Sequence, residues 1–155
     1  MSVSTSTDPV KTIIDILNDA DPGEWTNSYG APEWVERQED TEFSTKTNRT
    51  HAPAAYVWSP SDGDFTQMGA KYDAYLDDQI AQVVVWDADS ADRTSTIAGD
   101  VRDIIFDFAT DNQSSTEWSE IAPDTESDLR AERHPRSSDH FVVRLNSILH
   151  AYREL

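Results

Sequence analysis

Four histidines, His51, His134, His140 and His150, stand among 30 acidic residues, and imidazole and carboxylate are the groups that hold divalent metals and move protons. Spacing limits what they do together. If the closing segment is a strand, His140 and His150 share a face but lie about 33 Å apart; if it is a helix, they are about 15 Å apart. They cannot share an ion. His51 and His134 fall in segments that read as loops. Asp87-Ala88-Asp89 has the spacing of a carboxylate clamp for a hard cation or of a general acid–base pair, but Asp89 is equally the cap of a following helix.

The remaining chemistry is sparse. With no cysteine there is no disulfide framework, thiolate zinc site or thiol nucleophile. Five glycines form no phosphate-cradling loop, and no serine sits in a nucleophile elbow. Asn48-Arg49-Thr50 and Asn112-Gln113-Ser114 match the glycosylation acceptor pattern, but the N-terminus MSVSTSTDPVKTI does not read as an export signal, so they are taken as chance matches. The reading is therefore a protein that is not an enzyme, with no catalytic residue, no metal ligand and no cofactor. With no run of about 18 apolar residues, no membrane span is expected either.

The elements that carry these residues can be read from apolar spacing. The 155 residues are the length of one domain, taken as 1–155. Thr7 or Asp8 caps a helix with Pro9 in its first turn and Val10, Ile13, Ile14 and Leu17 at helical spacing; Asp21-Pro22-Gly23 ends it. Residues 23–52 read as a loop with a short strand around Trp34. Tyr56, Val57 and Trp58 mark a strand closed by a turn at Pro60 to Gly63. The run QVVVWD makes 79–87 a strand buried on both faces. Asp89 or Ser90 then caps a helix over 91–109, with Ile97, Val101, Ile104, Ile105 and Phe108 inward and Asp100, Arg102, Asp103 and Asp107 toward water.

TEWSEIAP reads as a further strand, and 124–139 as a charged loop. In the last segment, HFVVRLNSILHAYREL, a strand puts Phe141, Val143, Leu145 and Leu149 on one face, whereas a helix stacks Val142, Leu145, Leu149 and Tyr152. Its β-branched start favours the strand. The expected fold is α+β: a single, mainly antiparallel sheet packed with two helices.

Charge bounds the partners. Thirty Asp plus Glu against 12 Lys plus Arg give a net charge of −18, which opposes the cationic surface a nucleic-acid binder needs. The acids are spread along the chain, Asp outnumbers Glu, and only Lys11, Lys46 and Lys71 stand beside nine arginines. This balance resembles that of proteins from salt-accumulating halophilic archaea. In molar salt the Debye length is about 3 Å, so the self-repulsion of such a surface is screened.

Taken in order, QVVVWDAD, the helix SADRTSTIAGDVRDIIFDF, TEWSEIAP, the acidic DTESDLRAE and the closing HFVVRLNSILHAY look like the tail terminator proteins of long-tailed viruses. The resemblance covers about residues 53–152, with the first helix in the expected place. It implies a tail-terminator-like fold and a virion neck protein, assembled in the host cytoplasm. Such proteins form a homo-oligomeric ring, usually a hexamer, that caps the tail tube and joins it to the head-closure or connector protein. DNA passes through the lumen without specific binding. The composition adds a halophilic archaeal host. Another virion neck, head-completion or tail protein, or a small haloarchaeal cellular enzyme or binding domain, is the alternative.

Subunit or tail contacts are expected in two places. Residues 59–75 read as a loop presenting Phe65, Met68 and Tyr72. The 124–139 loop carries Arg130, Arg133 and Arg136, a local positive cluster able to pair with acidic neighbours.

Overall fold

The computed structural model describes residues 8–37, 53–59, 64–68, 74–87, 90–112, 116–123, 129–134 and 137–154. Helix α1, Pro9–Asp19, starts where its sequence dictates. Asp8 is the cap: its Oδ1 accepts from the backbone N–H of Val10 at 3.0 Å and of Lys11 at 3.4 Å, while Pro9 fills a position where no N–H is needed. The Asp8 Oδ2 pairs with Arg37. A turn of 3-10 helix, Pro22–Glu24, follows α1.

Seven strands among the described residues form one sheet. They are β1 (Trp34–Arg37), β2 (Ala54–Trp58), β3 (Asp64–Met68), β4 (Ala74–Asp87), β5 (Glu120–Pro123), β6 (Glu132–His134) and β7 (Ser137–Glu154). The main order is β1-β2-β4-β7-β5; β3 pairs with β4, and β6 with β7. Only β1 and β2 run parallel. The spine is the antiparallel β4–β7 pair, in register from Ala74↔Glu154 to Asp87↔Phe141, about 45 Å of ribbon. The fold is α+β, a mainly antiparallel sheet with two helices, α1 and α2 (Ala91–Asn112).

Both helices lie against one sheet face. Ile13 and Leu17 of α1 and Ile97, Val101 and Ile105 of α2 pack on Val83 and Val85 of β4 and on Val143, Leu145 and Leu149 of β7. Each such side chain contributes about 1.5–3 kcal/mol by leaving water. On the opposite face Val84, Trp86 and Val142 form a second buried cluster with Trp58 at its margin. The run VVVW is thus buried on both sides, as its lack of alternation requires, and β7 takes the strand form with Val143, Leu145 and Leu149 inward.

Three sequence expectations need correction. Residues 59–75 are not a continuous loop: 64–68 form β3, whose hydrogen bonds come from the N-terminal half of β4. The charged 124–139 segment contains β6, Glu132–His134, although it has no apolar alternation, because β7 offers it an edge to pair with. Finally, Asp100 does not face water; it is 6 % exposed. At about 100° per residue it sits some 40° from Ile104, on the flank of the buried stripe, where the 25–30 turn covers it.

Candidate functional site

The charged groups singled out by type are mostly engaged in holding elements together. Asp87, at the end of β4, is fully buried and takes both Nε and Nη2 of Arg93, the latter at 2.6 Å. The clamp reading of Asp87-Ala88-Asp89 therefore loses its first member to an ion pair; Asp89 lies outside the described residues. The cap of α2 falls to Ser90, whose Oγ accepts from the Arg93 N–H at 3.0 Å. This one arginine ties the strand end to the first turn of the helix that follows it.

Asp100 clamps a loop to α2. It accepts from Thr26 Oγ1 at 2.9 Å, from the Asn27 N–H at 3.0 Å and from Asn27 Nδ2. Asn27 Nδ2 also donates to the Gly30 carbonyl, and Gly30 turns the chain with φ +85, a conformation that favours glycine. About two turns toward the start of α2, Tyr29 donates to Asp92 at 2.9 Å, and that hydrogen bond to a carboxylate raises the phenol pKa above its ordinary value. Replacing Asp100 by Ala removes a charged acceptor from three donors. The expected cost is about 2 kcal/mol, read as a lower urea midpoint at fixed KCl, with faster amide exchange confined to 25–30.

Among the described residues His140 and His150 do not converge. His140 is buried with its ring centroid 4.4 Å from that of Trp86. His150, on the same face of β7, meets the Asp78 carboxylate through Nδ1. His134 stands on β6, and His51 lies outside the described residues. Among the described residues no three His, Asp or Glu side chains gather as a metal ligand set.

The expected contact residues divide similarly. Phe65 and Met68 stand on β3. Tyr72 and Arg136 lie outside the described residues. Arg130 and Arg133 are both exposed, and the Arg133 guanidinium lies 4.9 Å over the Phe141 ring. Their segment is anchored on α2: Ala131 N–H donates to Ser95 Oγ at 3.0 Å, and Leu129 packs over Gly99.

A surface the sequence reading did not single out lies between the last turns of α2 and β5. Phe106, Ala109 and Thr110 face Glu120, Ile121, Ala122 and Pro123 across an open groove of about 490 Å³. Phe106 is 51 % exposed, the most exposed large apolar side chain among the described residues. Its signal was present: Phe106 is an aromatic one step off the Ile97-Val101-Ile104-Ile105-Phe108 stripe, on the side assigned to water. Nothing in the groove resembles a reaction centre. Its lining mixes apolar Phe106, Ala109, Ile121, Ala122 and Pro123 with polar Thr110, Ser119 and Glu120.

No protein-family model matches the chain, and no curated protein matches it.

Proposed function

We propose that this chain is a structural virion protein: a tail terminator that forms a ring on the finished tail tube and joins it to the head connector, in a long-tailed virus of a halophilic archaeon. What supports the reading is the order of its parts. A leading helix, short strands, a long strand, the charged helix α2, two short strands and a long closing strand build one sheet with both helices on a single face. Apart from β6, which stands in the charged segment before the last strand, that is the order on which the resemblance to tail terminators rests. The buried polar groups fit a scaffold, since Asp87 and Asp100 are spent on internal pairs and clamps.

In this reading the sheet and α2 hold the ring geometry, and the contacts come from strand edges and from the exposed flank of α2. The acid-rich surface, at net −18, makes a lumen past which DNA slides without cation contacts to its phosphates. Ring partners would be further copies of the chain, with the tube protein below and the head-closure or connector protein above.

The test is loss of the gene from the virus. Overlong or unattached tails beside filled heads are expected by electron microscopy. Normal virions from the mutant would sink the terminator reading.

A further inference from the structure

We infer that the groove between α2 and β5 is the seat for the segment carrying Arg130 and Arg133 of a neighbouring copy of this chain. The inference rests on the ring reading and names the contact that would build the ring. At about 100° per residue, Ser95, Gly99 and Phe106 fall within some 40° of each other, on one flank of α2. The N-terminal half of that flank is covered by the chain's own Leu129 and Ala131. Two turns on, about 10 Å along the axis, the same flank opens into the Phe106 groove.

Charge selects what enters. Asp103 and Asp107 flank Phe106 in sequence, Asp111 follows, and Glu117 and Glu120 stand at the β5 side; all five are exposed. Asp103 reaches Arg102 at 3.8 Å. The C-terminal end of α2 already carries the negative pole of the helix, and its last turn has no basic residue. This end of the flank therefore favours a cation from outside the helix. The chain owns only 12 Lys and Arg, and Arg130 and Arg133 present two of them at the opposite end of the same flank, on a segment that already binds helix surface through an apolar residue.

Acidic groove and basic segment lie on one flank of α2, so the contact sets the groove of one copy against the segment of the next; repeated from copy to copy it closes into a ring when its rotation closes, and made reciprocally it closes a pair. In molar salt exposed pairs are screened, and only pairs shielded from water retain their strength. A second copy seated over Phe106, Ala109 and Pro123 supplies that shielding.

The experiment is a charge exchange on the full chain, with mass measured by light scattering in KCl and folding followed by far-ultraviolet circular dichroism. Asp103→Arg with Asp107→Arg, and separately Arg130→Asp with Arg133→Asp, should each weaken self-association by about tenfold or more. Combining the four changes should restore it. Phe106→Ser, at an exposed position, should dissociate the assembly and leave the dichroism unchanged. A wild-type chain that stays monomeric at every concentration, assembly that survives both exchanges, or a folded fourfold variant that fails to reassemble would each overturn the inference. A closed pair of copies in place of a ring, dissociated by the exchanges and restored by their combination, would keep this contact and count against the terminator reading instead.

Discussion

Replacing Arg93 by Ala should lower the stability of the fold by about 3–5 kcal/mol, a large share of the 5–15 kcal/mol that holds a domain of this size together. The reason is the state it leaves behind. Asp87 is 0 % exposed, and Arg93 supplies two of the N–H groups that make a carboxylate tolerable there. Removing the arginine leaves that charge buried without them at the junction of β4 and α2. Urea unfolding at fixed KCl measures the loss, and the same loss should be seen at low and molar salt, because a buried pair is poorly screened. The surface pair of Lys11 and Asp15, with Lys11 51 % exposed, gives the contrast: Lys11→Ala should change stability by at most about 0.5 kcal/mol. An Arg93→Ala protein with near wild-type stability would mean that burial of Asp87 does not depend on the pair. Replacing both partners by apolar residues of similar volume should cost less than removing Arg93 alone, which separates an uncompensated charge from lost packing.

The second large effect is expected at Trp118. This side chain is 2 % exposed in the main core, and its Nε1 donates to Thr12 Oγ1 of α1 at 3.1 Å. Thr12 Oγ1 in turn donates to the Asp8 carbonyl at 3.1 Å, so one indole links the approach to β5 with the first turn of α1. Trp118→Ala should cost about 3–5 kcal/mol through the cavity it leaves. Thr12→Val keeps the volume but strands the buried indole N–H, at about 1–3 kcal/mol. Circular dichroism melts and urea midpoints check both. If Trp118→Ala cost no more than Thr12→Val, the ring would not be the core member that its burial implies.

Much of the architecture was legible because it depends on local pattern. Asp8 and Pro9 set the start of α1, since capping and the missing proline N–H act within one turn. Val83 to Trp86 announced a strand buried on both faces, since a strand with one wet face must alternate. The five apolar positions of α2 declared which side of that helix meets the sheet. The closing segment was open between helix and strand, because Leu145 and Leu149 fit either period. Pairing along the whole of β4 decided it, and that is a long-range fact.

The rest could not be read from spacing. The residues of β6 carry no apolar alternation and are a strand only because β7 lends them an edge. Asp100 has the polarity of a surface residue, and only the fold brings Thr26 and Asn27, more than 70 positions away, to satisfy it in the interior. The groove is likewise made by two segments, Phe106 to Thr110 and Ser119 to Pro123, each unremarkable alone.

The sequence by itself determined the helix starts, the doubly buried strand, the α+β class and a surface acidic enough to suit concentrated salt, because capping, periodicity and net charge are properties of neighbours and sums. Tertiary structure alone decided which acids are buried and paired, which charged segment becomes a strand and where a groove stands open beside Phe106. Those outcomes depend on which distant groups arrive to replace water, and no local pattern records that.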